Sequence, residues 1–390
     1  MNTVSYDIKV EKVYSTPKDV WKNIVQNAKF DKIEQILATK VGINNFLHIS
    51  INFQTSVLLR DIIVNSPFVS AWGRSTQVLN DTDSKFSVYR SVRSDIDNTV
   101  MIEKMEELLR TNHVQDNIRM IVPLGSITNF AINVDIMTLV KLIMTLDCVQ
   151  QDLKTEALLI KAELEKIALE SFDITHEIIE SVSNSYKDDI KRDFNYLTKD
   201  LKVITGVDVI SAPVTYSVVG QILRHRTILK NVDFNLDAVK QYTANYDFES
   251  IETPDDIAVL VKEITASANS LYETVQGSIY NLNMSGYEPN IQKMFNERSC
   301  CINDTKQFKD IMPANAIPPC KCNVEKFGCY VSYVNESRLK NEEQTQIPCP
   351  IWAEEKGMSQ WTNDKKYDYF YNNITSWNKW KKRIEKDKND

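Results

Sequence analysis

Ser211-Ala-Pro-Val-Thr-Tyr-Ser-Val-Val-Gly-Gln-Ile-Leu-Arg-His-Arg226 is the stretch from which the rest of the chain is read. It approaches through apolar residues, Val214, Tyr216, Val218, Val219, Ile222 and Leu223, and ends in Arg224, His225 and Arg226. Cations this close repel by about 1 kcal/mol per pair at water-like dielectric, and by more in a drier site. A folded protein tolerates such a triplet in solvent or against an anion. The apolar approach argues for an anchored segment. Two readings stay open on these residues alone. One is a grip on phosphate or cofactor oxygens, which arginine forks match in bidentate fashion. The other is a solvated helix turn with carboxylate partners three or four residues away.

Working outward, the same pattern occurs earlier. At an offset of 160, residues 51–66 lie over residues 211–226. Ile51, Phe53, Val57, Leu58, Leu59, Ile62 and Ile63 then stand against Ser211, Pro213, Ser217, Val218, Val219, Ile222 and Leu223. Each copy reads as a strand, an apolar helix and a polar loop, so the chain is expected to hold two related lobes. Between them, helical spacing is expected over roughly 101–122, from Asn133 to about Glu170 (Ile136, Leu139, Val140, Ile143, Leu146, Leu158, Ile160, Leu164, Ile167) and over 176–197.

Bulk properties bound the function. The 390 residues are 43% hydrophobic and 25% charged, ordinary values for a globular protein of two or three domains. The net charge of −7 provides no basic field for nucleic acid. No apolar run reaches the roughly 18 residues of a membrane span, and the first residues show no signal-peptide core. Seven cysteines, with Cys300 and Cys301 adjacent, point to a reducing compartment. A cytoplasmic location is therefore expected. Glycine is scarce, at 9, and no Walker or GxGxxG phosphate loop is present.

The segment from Ala212 to Thr227 resembles the hallmark of the flavin-dependent thymidylate synthases, the ThyX family. There an apolar strand with proline runs into R-Q-x-x-R-H-R. Pro213, Gln221, Arg224, His225 and Arg226 match at the family spacing, and Asn231 stands where the family has an asparagine. Gly220 replaces the first arginine, and Phe234 stands in place of a serine. In the first lobe Arg60 matches the arginine before glutamine, but Val64-Asn65-Ser66 replaces R-H-R. Ser87-Val-Tyr-Arg90-Ser91 resembles the family's S-x-R-Y-S with two residues exchanged. Asp116-Asn-Ile-Arg119-Met-Ile-Val-Pro-Leu124 resembles E-x-A-R-x-x-L-P-L, and Asp135 stands where the family has asparagine. Arg298-Ser-Cys300 resembles a late R-x-C.

The resemblance implies an α+β fold of two ThyX-like lobes with antiparallel or mixed sheets and long helices. Residues 1–200 would form the first lobe, without the triplet but with the phosphate-type arginine. Residues 201–330 would form the second, and residues 331–390 a cysteine- and aromatic-rich extension. It implies transfer of a one-carbon unit from methylenetetrahydrofolate to C5 of dUMP, or of a related pyrimidine nucleotide in a hydroxymethylating relative. FAD and NADPH would be the cofactors and a homo-oligomer the assembly. Arg224, His225, Arg226 and Asn231 would bind the cofactor. Gln221, Arg224, Arg119, Ser87 and Arg90 would bind the nucleotide, and Arg298 would polarise the pyrimidine edge with His225 beside it. Because each lobe keeps what the other has lost, a composite site is expected, with the triplet facing Arg119. The alternative is a non-catalytic scaffold on a degenerate copy of the fold.

Two further features stand outside that resemblance. Cys320, Cys322, Cys329 and Cys349 could form a tetrahedral zinc site or remain reduced thiols. The tail interleaves Trp352, Trp361, Tyr367, Tyr369, Phe370, Tyr371, Trp377 and Trp380 with cations. That pattern fits single-stranded nucleic acid or a helix packed on the body, and the acidic balance favours the second. Cys148, in an apolar helical pattern, is expected in the core.

Overall fold

The computed structural model describes residues 4–27, 29, 32–38, 46–66, 69–73, 89–110, 118–182, 209–223, 228–251, 253–298, 307, 308 and 310–313. Among the described residues the chain is α+β, with two antiparallel sheets. It opens with β1 (Lys9–Ser15), α1 (Lys18–Asn27) and α2 (Ile33–Ala38), then β2 (His48–Ser56), α3 (Val57–Val64) and β3 (Ser70–Gly73). After α4 (Thr99–Arg110) come β4 (Ile127–Asp135), α5 (Ile136–Thr145) and α6 (Lys154–Phe172). The second set is β5 (Ile210–Thr215), α7 (Tyr216–Ile222), β6 (Leu229–Val232), α8 (Leu236–Asn245), α9 (Asp255–Ser267), β7 (Ile279–Ser285) and α10 (Glu288–Arg298). The sheet orders are β1-β2-β4-β3 and β5-β7-β6.

Period-2 alternation makes β2 a strand. Ile49, Ile51, Phe53 and Thr55 are buried while Asn52 is exposed. Phe53 lies opposite Phe130 of β4, and their rings stack at 5.0 Å. The strand passes into α3 without a loop because Ser56 caps the helix, accepting a hydrogen bond from the Leu59 amide at 3.1 Å. Asp135 does the same between β4 and α5, accepting from Thr138 N at 2.7 Å. That job explains a short acidic residue at this position without reference to any ligand. The helical spacing expected from Asn133 is corrected here. Residues up to Asp135 are strand, and a turn after Thr145 separates α5 from α6.

Hydrogen bonds come in matched pairs where the two sheets meet. Pro123 bridges Val275. Leu124 N donates to Thr274 O at 2.8 Å, and Gln276 N donates to Val122 O at 3.0 Å. Gly125 N donates to Tyr272 O at 2.8 Å, and Gly277 N to Met120 O at 2.7 Å. A Cβ on Gly125 would lie 2.7 Å from Tyr272 O, and one on Gly277 would lie 2.9 Å from Met120 O. Both glycines are therefore required by backbone approach. The helix entries match too. Val57 N reaches Ser126 O at 3.2 Å and Tyr216 N reaches Ser278 O at 3.0 Å.

These pairs place Ser56 with Thr215 and Val57 with Tyr216, one residue away from the offset of 160. Buried Phe53 corresponds to buried Ala212, not to exposed Pro213. A one-residue slip turns every side chain of a strand to the other face, so only one register keeps both cores apolar.

One core spans both sheets, including Ile49, Ile51 and Phe53 from the first and Val214, Tyr280 and Leu282 from the second. A second cluster packs α4 and α9 around the junction through Met105, Leu108, Ile121, Val261 and Val275.

Candidate functional site

The stretch 211–226 forms most of β5 and all of α7 before the triplet. Ala212, Val214 and Thr215 are buried, and Pro213 is exposed. Among the described residues β5 pairs only with β7. Pro213 therefore lies on an edge strand, where its missing N–H is tolerated. α7 buries Tyr216, Val218, Val219 and Ile222, with Gln221 half-buried in its last turn. Leu223 closes the helix, and the chain returns at buried Ile228. Arg224, His225 and Arg226 lie outside the described residues. Their flanks are thus fixed between the end of α7 and the start of β6.

Lys230 on β6 was not singled out by sequence reasoning. It is 5% exposed, and its ammonium donates to Leu223 O at 2.7 Å and Ile222 O at 3.4 Å. A cation there satisfies helix-end carbonyls and complements the negative end of the helix. The available signal was a lysine in the short β-like run Leu229–Val232. Asn231, next to it, is half-buried opposite Asn283.

Gly220 has a physical reason. A Cβ there would lie 3.0 Å from Asp61 Oδ2 of α3. Asp61 is buried and accepts from Arg60 Nε at 2.9 Å and Arg60 Nη2 at 2.6 Å. Burial opposes the Arg60 charge, but the Asp61 carboxylate outweighs it and raises the Arg60 pKa. Burial first, and Asp61 second, raise the Tyr216 phenol well above its ordinary value. The Arg60–Asp61 pair from one helix thus packs where the other helix carries no side chain.

Phe234 is 3% exposed and packs edge-on against Tyr280 at 5.7 Å, with Tyr216 at 6.5 Å. It is a core residue. Arg119 is 8% exposed and lies in the turn just before the paired hydrogen bonds of the junction. Arg90 is exposed and pairs with Asp7, Nη2 to Oδ2 at 2.5 Å. It stands on the rim of a cavity of about 300 Å³ that Ser5, Asp7, Ser91 and Ser94 also line. Arg298 ends α10, and its side chain lies outside the described residues. So do Ser87, the residues Cys320, Cys322, Cys329 and Cys349, and the extension 331–390. Gln221 thus precedes the triplet at the end of α7 and Asn231 follows it on β6, while Arg90 is tied to Asp7.

Cys148, expected in the core, is exposed. The apolar period does not run through it because α5 stops at Thr145. Among the described residues no group of three or more His, Cys, Asp or Glu side chains is placed to hold a metal ion. No described helix is long and apolar enough to cross a membrane.

Glu156, at the start of α6, is a fully buried acid with four hydrogen bonds. Its Oε1 accepts from Thr55 Oγ1 at 2.5 Å and Ser56 N at 2.8 Å. Its Oε2 accepts from Ser56 Oγ at 2.7 Å and Tyr272 OH at 2.9 Å. It ties the entry of α3 to the junction loop of the second sheet. At the entry of α7, Thr215 N donates to Gln307 Oε1 at 2.8 Å. No pattern in the sequence marks Glu156, because its partners come from segments about 100 residues away on either side.

The chain matches no protein-family profile and no curated protein. Solved structures do align with it. The UMP/dUMP methylase PolB from Streptomyces cacaoi bound with 5-Br UMP aligns with TM-score 0.33 and 16% identity, over 45% of this chain and 95% of that one. The same enzyme bound with 5-Br dUMP aligns with TM-score 0.33 and 13% identity, over 45% and 96%. Thymidylate Synthase X (ThyX) from Helicobacter pylori with FAD and dUMP aligns with TM-score 0.33 and 15% identity, over 44% and 99%. These likenesses are faint, and the functional reading below rests on residues instead.

Proposed function

We propose that this chain is a divergent flavin-dependent pyrimidine-nucleotide C5 one-carbon transferase, built from two related halves and assembled as a homo-oligomer. The observation that carries this reading is the stretch 211–226. It keeps Pro213, Gln221 and the Arg224-His225-Arg226 triplet, and it folds as a strand running straight into a helix that ends at the triplet. The matched hydrogen bonds at the entries of α3 and α7 support the duplication, with residues 1–200 as one half, 201–330 as the other and 331–390 as an extension.

The donor set fits an anionic, phosphate-bearing group. Arg224, His225 and Arg226 follow a helix end that Lys230 already caps. When bound, reduced flavin supplies the hydride and NADPH restores it, while methylenetetrahydrofolate supplies the carbon. The chain's own residues would do the rest. Arg224 and Arg226 hold phosphate oxygens, and Asn231 supports them from β6. His225 is the side chain there whose proton responds near neutral pH. Gln221 hydrogen-bonds the nucleotide. Arg119, with Ser87 and Arg90, holds the nucleotide phosphate, and Arg298 stabilises negative charge developing on the pyrimidine. dUMP is the default substrate.

Purified protein is expected to carry flavin, seen as its visible absorption band, or to take up added FAD. Replacing Arg224, His225 and Arg226 together by alanine abolishes this. A colourless protein that takes up no FAD overturns the reading. The second reading, a non-catalytic scaffold, is favoured by one observation: Phe234 fills the core where the family has its serine.

A further inference from the structure

Strand β1 is an edge of its sheet. Among the described residues it pairs only with β2, so alternate N–H and C=O groups along it face outward. The register against β2 shifts between Lys12 and Tyr14, which leaves Lys9 to Lys12 as the regular run. Lys9 and Glu11 are exposed, on the face of the sheet turned to solvent, and Val10 is half-buried against the core. A row of lysines alone would repel any similar edge. Here Glu11 stands between Lys9 and Lys12, so the edge carries both signs.

That charge pattern fits one partner, the same strand of a second copy. Two copies of one edge strand pair antiparallel about a two-fold axis. Residues opposite one another share a face of the sheet, so the axis passes through a residue position. At Lys9, Glu11 or Lys12 it would set a charge against its own copy. At Val10 it sets Lys9 against Glu11 of the second copy, twice over, and Val10 against Val10. Lys12 then lies opposite half-buried Ile8 of the second copy, which its apolar stem can cover. The helix on this strand points the same way. α6 packs on β1 and buries Ile160, Leu164 and Ile167, yet Leu158, Leu159 and Leu169 stay exposed. Leu158 and Leu169 lie about three turns apart and so fall on one stripe. An axis at Val10 brings the two α6 helices to the same face of the joined sheet, each on its own edge strand.

We propose that β1 is a self-association edge. Two copies of the chain join there in the register that sets Lys9 against Glu11, so that two four-stranded sheets become one continuous sheet. The exposed leucines of α6 are covered at the same interface. This names the contact of the homo-oligomer in the functional reading above and rests on that reading for the existence of an oligomer alone. It uses none of the residues assigned to flavin or nucleotide.

The experiment is sedimentation of the full chain over a series of concentrations, with uptake of added FAD measured alongside. The natural chain should contain an even number of copies. Lys9→Glu and Glu11→Lys should each weaken self-association by about tenfold or more, because two opposite-charge pairs become two like-charge pairs. Both substitutions in one chain should restore it, since the pairs are then reversed and not lost. Circular dichroism should match the natural chain in all three variants, as both side chains are exposed. A monomeric natural chain overturns the proposal, as when a segment of the same chain covers the edge. Association unchanged in the single variants, or not restored in the double one, also overturns it and places the contact elsewhere. A natural chain that takes up FAD under any of these outcomes keeps its flavin reading. A chain that associates as expected but takes up no FAD overturns the flavin reading and leaves this one standing.

Discussion

Glu156 has no exposed surface, yet four donors converge on its carboxyl group. Burial raises its pKa, and the hydrogen bonds from Thr55, Ser56 and Tyr272 only partly offset this. The sign follows from linkage. Above the ordinary glutamate value of 4.5 the unfolded chain loses this proton while the folded chain keeps it, so the contribution to stability falls as pH rises. The fall ends once pH passes the raised folded value. Glu156→Gln should therefore remain folded and flatten that part of the pH dependence, because its amide oxygen still accepts and the hydroxyls can reverse. An amide oxygen already accepts a backbone N–H ahead of a helix elsewhere in the chain, at Thr215 N to Gln307 Oε1. Glu156→Leu should cost on the order of 3 kcal/mol by leaving buried donors unpaired. Urea denaturation at about pH 5 and about pH 8 checks this: the natural chain should lose stability between the two, Glu156→Gln should lose less, and Glu156→Leu should be the least stable at about pH 5. Phe234 gives a second test at this scale. Phe234→Ser restores the residue of the ThyX pattern but removes a ring packed against Tyr280. It should lower stability by about 3–4 kcal/mol without raising flavin uptake, read by thermal unfolding and flavin absorbance.

Among the elements, the two strand-to-helix entries and the crossing between them carry the design. At each entry the helix begins on the last strand residue, so strand register fixes which side chains the helix presents. At the crossing, Gly125 and Gly277 let two backbones approach, and any Cβ meets backbone oxygen. Gly125→Ala and Gly277→Ala should each cost about 2–3 kcal/mol, measured from denaturant midpoints, with the m-value unchanged. Much of this level was legible in the sequence. Alternation in residues 48–56 marked β2, the apolar run after it marked α3, and Pro213 with the β-branched residues marked β5. The repeat Gly-Ser-Ile-x-Asn at 125–129 and 277–281 was also there to be read, and it lies on the two central strands. The strand character of 127–135 was hidden because Ile132, Val134 and Ile136 run unbroken into a helix and blur the change of period. Lys230 was illegible because its partners, the carbonyls of Ile222 and Leu223, only become acceptors when α7 ends beside β6.

The whole molecule holds its two sheets on one continuous core, with Glu156 of one half bonded to Tyr272 of the other. Such sharing predicts that the halves unfold together. Urea unfolding followed by tryptophan fluorescence and by far-UV circular dichroism should give coincident transitions, and a chain cut between the halves should not yield two independently folded pieces. Two separated transitions would contradict this. What the sequence by itself determined is the local chemistry: the strand-to-helix units, the cationic triplet after an apolar run, and a net charge of −7. These follow from periodicity and residue type within short windows. Only the tertiary structure decided the backbone bonding between 120–125 and 272–277, the core role of Phe234, the exposure of Cys148, the pairing of Arg90 with Asp7, and the burial of Glu156. Each of those depends on which distant segments meet, and a side chain's environment is set by partners that no local window contains.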